Sequence, residues 1–298
     1  MQSLAVIGAG TMGAGIAQVA AMAGCDVRLR DVGESELDRA VAAIDHSLER
    51  LVLRDRLARE DATAVRGRIT MTTALDRALD GADTVIEAVP EILELKHEVL
   101  AAAAELAGAQ AVLATNTSQF TITGLAAPLP AGAQARVIGM HFFNPPVMMR
   151  LVELVVGERT SEATLTRSRE LVAALGKVSV VCKKDTAGFI TTRAYAALRL
   201  ECLRIVEEGV ASAEDVDTAL KLGFNFPMGP FELADFNGTD ISLHVLSSLH
   251  AAYGDRFRPT PGLRDMVAAG RLGRKVGEGF FRYADDGTRV EPDDPAVG

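Results

Sequence analysis

Two side chains in this sequence have the types and neighbourhoods for proton transfer. His141 follows the apolar run Arg136-Val137-Ile138-Gly139-Met140, which reads as a strand, and precedes Phe142-Phe143-Asn144-Pro145-Pro146. An imidazole titrates near neutrality, so one held at a strand end can accept a proton and return it. Glu153 lies in the otherwise apolar run from Leu151 to Val156, where a bare carboxylate is costly to bury. Pairing with an imidazole N–H would satisfy it and fix which ring nitrogen carries the proton. The competing readings are a structural histidine and a solvent-facing strand glutamate. His46, His97, His244 and His250 fall within predicted helices and read as surface or domain-contact residues.

Proton transfer of this kind needs a partner reaction, and the N-terminus suggests one. Leu4-Ala5-Val6-Ile7 reads as a strand. It runs into Gly8-Ala9-Gly10-Thr11-Met12-Gly13, then into a small, apolar helical segment ending at Gly24. A second strand, Asp26 to Arg30, stops at Asp31. This is the spacing of a dinucleotide-binding turn, with an acidic residue about 20 residues on to accept hydrogen bonds from a ribose. Gly8 allows the sharp turn, Gly10 lets a pyrophosphate approach the backbone, and Gly13 lets the helix pack close to the sheet. The helix N-terminus offers N–H groups and a positive dipole end to phosphates. The carboxylate of Asp31 repels a 2′-phosphate, which favours NAD over NADP; Arg28 and Arg30 read as solvated. A nicotinamide enzyme that oxidises an alcohol needs a base for the hydroxyl proton, and His141 suits that role.

Other polar residues also follow predicted strands. Asn116 and Ser118 come after Ala111-Val112-Leu113-Ala114 and suit either a substrate oxygen or the nicotinamide ribose, or else simple turn chemistry. Glu91 and Lys96 open a helix after the strand Asp83–Ala88, placed to contact ribose and carboxamide or to stand as helix-surface charges. Arg50, Arg54, Arg56 and Arg59 sit at the end of a helix and the turn beyond it, either as a phosphate-binding group or as a solvated face.

The elements that would position these residues alternate. Strands are expected at 4–7, 26–30, 68–72, 83–88, 111–114, 136–140, 151–156 and 178–181, with helices at 33–58, 59–65, 91–106 and 161–175. Alternation over about 180 residues points to a doubly wound, mostly parallel Rossmann-type sheet. Ligands then sit beyond the carboxyl ends of the strands, where Gly8, Asp31, Glu91, Ser118 and His141 should converge. After Asp185 strand signals vanish. A long helix is expected over 186–208, then one capped by Ser212, then helices near 231–235, 240–253 and 263–269, and a frayed tail from Val290. The expected domains are therefore 1–184, a dinucleotide-binding domain, and 185–298, an all-helical one.

Composition narrows the partners. The chain has 298 residues, 48% apolar and 24% charged, with a net charge of −9. That balance, without a basic stripe, argues against nucleic acid. No apolar run is long enough to span a membrane. The N-terminus passes directly into the first strand with no signal-like segment. The three cysteines, Cys25, Cys182 and Cys202, show no metal-ligand spacing and read as reduced thiols of a cytoplasmic protein.

Several motifs occur in a set order: Gly8–Gly13 with Asp31, Glu87-Ala88-Val89-Pro90-Glu91, Asn116-Thr117-Ser118, His141-Phe142-Phe143-Asn144-Pro145, Pro227-Met228-Gly229-Pro230, and Gly273-Arg274-Lys275-Val276-Gly277-Glu278-Gly279-Phe280. Together they closely resemble the 3-hydroxyacyl-CoA dehydrogenase family, over nearly the whole chain. The resemblance implies NAD-dependent, reversible oxidation of an L-3-hydroxyacyl-CoA, such as 3-hydroxybutyryl-CoA, in fatty-acid or related lipid metabolism. It implies His141 as acid/base, Glu153 as its partner, and Ser118 touching substrate and nicotinamide. Glu91, Lys96, Asn144 and Lys275 would join the cofactor site, and Ser47 and Arg54 would contact CoA. The helical domain would close over the substrate and build a homodimer. One departure stands out: Thr192 replaces the family's usual asparagine near the substrate. A shorter hydroxyl in place of an amide donor would change rate or substrate range. Two other classes remain open. One is a dehydrogenase of a free hydroxy or sugar acid, similar to L-gulonate 3-dehydrogenase. The other is a non-catalytic NAD(H)-binding protein, which would need neither His141 nor Glu153.

Overall fold

Apolar runs with little alternation suit strands buried on both faces, and the chain uses them so. The computed structural model describes residues 2–290, and the chain divides after Phe189 into two compact units.

In the first unit the strands are β1 (Ser3–Ile7), β2 (Asp26–Arg30), β3 (Ile69–Thr72), β4 (Thr84–Glu87), β5 (Val112–Thr115), β6 (Val137–Phe142), β7 (Leu151–Val155) and β8 (Val178–Cys182). They form one eight-stranded sheet in the order β3-β2-β1-β4-β5-β6-β7-β8. Every neighbouring pair is parallel except β6 and β7, which run antiparallel. The mostly parallel Rossmann-type sheet expected from the alternation is what forms.

Helices cover both faces. They are α1 (Thr11–Met22), α2 (Glu34–Leu53), α3 (Arg59–Gly67), α4 (Leu75–Leu79), α5 (Leu93–Leu106), α6 (Ile122–Ala126), α7 (Ala131–Gln134) and α8 (Glu162–Ala174). One core cluster joins Leu4, Val6, Ile16, Ile44 and Leu171; the other joins Ala5, Ile7, Leu100, Leu113 and Leu125. Consecutive β1 residues thus serve opposite faces, as the pleat dictates. Three short helices depart from the expected pattern. Each of α4, α6 and α7 spans too few turns to show periodicity, and α7 begins where two prolines suggest a loop.

The first strand ends in a turn that only glycine fits. Gly8 has φ +105°, and a side chain there would strike the Ala88 carbonyl. A methyl on Gly13 would collide with the carbonyl oxygen of Gly8. The close packing of α1 on its turn is therefore built from two bare backbones.

The second unit is helical: α9 (Thr191–Glu207), α10 (Ala213–Phe224), α11 (Pro230–Asn237), α12 (Thr239–Tyr253) and α13 (Pro261–Ala268). Helix α9 starts later than the expected residue 186. Gly188 and Phe189 adopt positive φ, +73° and +45°, which breaks any helix through them. Ser212 caps α10 by accepting the Asp215 N–H. The glycine-rich 270–279 turn wraps around Asp235, which is fully buried. Asp235 accepts the N–H groups of Phe280 and Phe281, each at 2.9 Å, and the Tyr283 hydroxyl at 3.1 Å. Burial pushes its carboxyl up, and the two backbone bonds oppose that. The unit is not wholly helical. A two-stranded ribbon, β9 (Arg282–Tyr283) with β10 (Arg289–Val290), follows the turn. The expected frayed tail begins inside this ribbon at Val290, and its remaining residues lie outside the described residues.

Gly13→Ala is expected to cost about 2–3 kcal/mol or more of stability, the upper range for overpacking, because backbone rather than a side chain blocks the new methyl. Urea unfolding of the variant beside the wild type measures it.

Candidate active site

His141 lies within β6 rather than at its end, since the strand runs to Phe142. Directly opposite, across the one antiparallel pairing of the eight-stranded sheet, is Glu153 of β7. The imidazole Nδ1 is 2.8 Å from Glu153 Oε2. Glu153 is 0% exposed and His141 8%. Each side chain explains the other's burial. A carboxylate removed from water needs a donor, and an imidazole donating from Nδ1 keeps Nε2 bare as an acceptor. Nε2 makes no hydrogen bond among the described residues. The rings of Phe143 and Phe189, with centroids 4.8 and 5.8 Å away, wall the imidazole. Phe189 holds that place from a left-handed backbone conformation.

The glycine turn lies at the carboxyl end of β1. Gly10 stands at the N-cap of α1 with no side-chain cap, and the space where its side chain would project is open. Thr11 is exposed at the helix start and Met12 half-buried, so the first N–H groups of α1 are left for a ligand. Asp31, past the end of β2, accepts the Ala9 N–H at 2.6 Å and the Val32 N–H at 2.7 Å. A pyrophosphate on the open N-terminus and a ribose at Asp31 match these donors and acceptors. NAD therefore fits the residues present.

Arg28 and Arg30 are half-buried, solvated in part and also hydrogen-bonded to the chain. Arg28 donates to the carbonyls of Arg77 and Asp80 and to Ser3 Oγ, and Arg30 to the Thr73 carbonyl. Tethered guanidiniums cannot readily follow a 2′-phosphate.

Beyond β4 and β5 the polar residues interlock. Glu91 Oε1 accepts the Ser118 N–H at 2.8 Å, and Oε2 accepts the Thr117 hydroxyl at 3.0 Å. Asn116 Oδ1 accepts the Phe142 N–H at 2.8 Å, tying this loop to the strand that carries His141. Lys96 is not a helix-surface charge. It is 1% exposed, donating to Glu87 Oε1 at 2.8 Å and the Val89 carbonyl at 3.3 Å, with Glu91 Oε2 at 3.5 Å. Glu87, at the end of β4, was given no role by sequence reasoning. The signal was available, for it is a charge ending an apolar strand, as informative there as Glu153 is in β7.

Asn144 is exposed ahead of Pro145. Ser47 lies on the last turns of α2 and is half-buried, and Arg54 caps the end of that helix and is exposed. Arg59 of the same group is committed to Glu49, at 3.0 Å. Thr192 and Lys275 belong to the second unit, Thr192 in the first turn of α9. Lys275 Nζ bonds both oxygens of Asp240 at 2.7 Å and holds that carboxyl below its usual range. Among the described residues, no cluster of His, Cys, Asp or Glu is placed to hold a metal ion, and no helix is long and apolar enough to cross a membrane.

Comparisons with known proteins agree with one another. Residues 3–186 match the family model described as 3-hydroxyacyl-CoA dehydrogenase, NAD binding domain, and residues 188–283 the one described as its C-terminal domain. A protein of Deinococcus radiodurans named as a probable 3-hydroxybutyryl-CoA dehydrogenase is 43% identical over 279 residues, covering 93% of this chain and 99% of its own. A 3-hydroxybutyryl-CoA dehydrogenase of Bradyrhizobium diazoefficiens is 41% identical, covering 95% of this chain and 96% of its own. The crystal structure of (S)-3-hydroxybutyryl-CoA dehydrogenase PaaH1 from Ralstonia eutropha superposes with a TM-score of 0.90 at 38% identity, covering 96% of this chain and 100% of that one.

Asp31→Ala is expected to weaken NAD by about 10- to 100-fold, the worth of a charged hydrogen bond. It narrows the gap to NADP without inverting it, because Arg28 and Arg30 stay tethered. Titrating both cofactors against both proteins measures this.

Proposed function

The chain belongs to the 3-hydroxyacyl-CoA dehydrogenase family, and on that premise we propose that it interconverts a short-chain L-3-hydroxyacyl-CoA and its 3-ketoacyl-CoA, with His141 as acid/base oriented by Glu153. The observation that carries this reading is the 2.8 Å contact between Nδ1 and Glu153, which leaves Nε2 bare. In the oxidation, Nε2 takes the proton from the substrate hydroxyl, and the Glu153 carboxylate balances the imidazolium that forms. In the reduction, the same nitrogen returns the proton. NAD bound in the fold's first unit supplies the hydride acceptor. Gly8, Ala9, Gly10, Thr11, Met12 and Gly13 would hold its pyrophosphate, and Asp31 a ribose.

Glu91, by fixing Ser118, would present that hydroxyl to the nicotinamide side and the substrate oxygen. Asn116 supports the neighbouring strand end and would act beside it. Asn144 would complete the cofactor site, and Lys96 would take part through Glu91. Ser47 and Arg54 at the end of α2 would bind CoA phosphates, for which an exposed guanidinium is suited. The buried thiols of Cys25, Cys182 and Cys202 suit a reducing compartment such as the cytoplasm. Exposed Val210, Leu222 and Phe224 on the helical unit would be covered in a homodimer.

His141→Gln is expected to bind NADH as the wild type does and to lose turnover by about 10²–10⁴-fold. Glu153→Gln should fall in the same range, since the amide no longer fixes the tautomer. Stopped-flow reduction of acetoacetyl-CoA with NADH, beside fluorescence titration of NADH, reads both. Unchanged turnover in His141→Gln would refute the assigned base. A panel of acyl-CoA chain lengths and free hydroxy acids tests the substrate: activity on free acids alone would overturn the thioester reading.

A further inference from the structure

Three charged groups meet beyond the carboxyl end of β4. Glu87 is 0% exposed. Its Oε1 accepts from Lys96 Nζ at 2.8 Å and from the Val89 N–H at 2.7 Å. Its Oε2 accepts from the Thr115 hydroxyl, the last residue of β5, at 2.6 Å. Lys96 in turn lies 3.5 Å from Glu91, the more open of the two carboxylates. Two carboxylates thus share one ammonium, and one negative charge is left over.

The place of that charge follows from the sheet. Strand order reverses between β1 and β4, and a dinucleotide lies across such a reversal with one mononucleotide on each side. The acceptor for the adenosine ribose, Asp31, is on the β2 side. The nicotinamide half therefore lies over β4, β5 and β6, where Glu87, Thr115 and His141 stand. The two oxidation states of the cofactor differ there by one positive charge on the ring.

We propose that Glu87 sets the redox preference of the cofactor site: with Lys96 and Glu91 it leaves a net negative charge under the nicotinamide half that favours NAD⁺ over NADH. Glu87, being fully buried, acts through the field of the cluster and through Lys96. This rests on NAD binding to the first unit. It explains why the acceptor for these three donors is a carboxylate, when a neutral amide oxygen could accept from them without the charge. A structural ion pair needs one partner for one ammonium; this cluster carries two.

The test is a charge series. Glu87→Gln makes the cluster neutral, Lys96→Met makes it doubly negative, and the double variant Glu87→Gln/Lys96→Met restores a single negative charge. Dissociation constants for NADH come from fluorescence titration, and those for NAD⁺ from competition against it. Relative to wild type, the preference for NAD⁺ should drop by about 3- to 30-fold in Glu87→Gln and rise by a similar factor in Lys96→Met, for a charge of this kind in a partly screened site. The double variant should return to within about twofold of wild type. Absolute affinities can fall in every variant without affecting the ratio. If one single variant does not fold, the other and the double variant decide. A ratio that stays constant, or that moves the same way in both single variants, overturns the proposal and leaves a structural pair. Wild-type protein that binds neither form of the cofactor is a failure of the NAD reading instead, and is seen before any variant is made.

Discussion

One hydrogen bond, His141 Nδ1 to Glu153 at 2.8 Å, sets the terms for the rest of the first unit. It exists because β7 alone runs against its neighbour β6. In an antiparallel pair, residues directly opposite stand with Cβ atoms about 5 Å apart on one face, and the register pairs His141 with Glu153. A slip of one residue would turn Glu153 to the other face, leaving a carboxylate buried without a donor. The cost of that error ties the chemistry to the folding. The register that satisfies the carboxylate is also the register that aims Nε2.

The parallel strands, β6 among them, carry the other polar groups of the unit. From β3 through β6 they are parallel, so their carboxyl ends form one edge. Along it stand the glycine turn, Asp31, Glu87, Glu91 and the Asn116–Ser118 loop. Charges on this edge are held by specific donors. Asp31 rests on the Ala9 N–H, and Glu91 on the Ser118 N–H. Glu87 is held by an ammonium, a hydroxyl and a backbone N–H. Preorganised groups of this kind need little reorganisation when a ligand arrives.

Much of this architecture is legible in the sequence, for physical reasons. Parallel strands buried on both faces read as apolar runs, and the glycine turn has a steric logic that few other turns share. Glu153 stands out because a carboxylate amid Leu151, Val152, Leu154 and Val155 demands a partner. What stays hidden depends on contacts far apart in the chain. Arg28 looks fully solvated until the carbonyls of Arg77 and Asp80 close on it, and Lys96 looks like a helix-surface charge until Glu87 and Glu91 enclose it. The start of α9 is obscured for a local reason, since Phe189 is a poor candidate for positive φ and nothing in its type announces it. The β9–β10 ribbon is too short to show an alternating pattern. Glu87 was readable by the same argument as Glu153, but it ends its strand, where a polar residue is ordinarily just the start of a loop.

The central claim is that Glu153 holds the neutral imidazole with its proton on Nδ1. ¹⁵N NMR of His141 in the cofactor-bound protein, at a pH where the ring is uncharged, observes this directly. The expected spectrum shows Nδ1 protonated and Nε2 bare. A protonated Nε2 with a bare Nδ1 would leave Nε2 without the lone pair that takes the substrate's proton and would contradict the account.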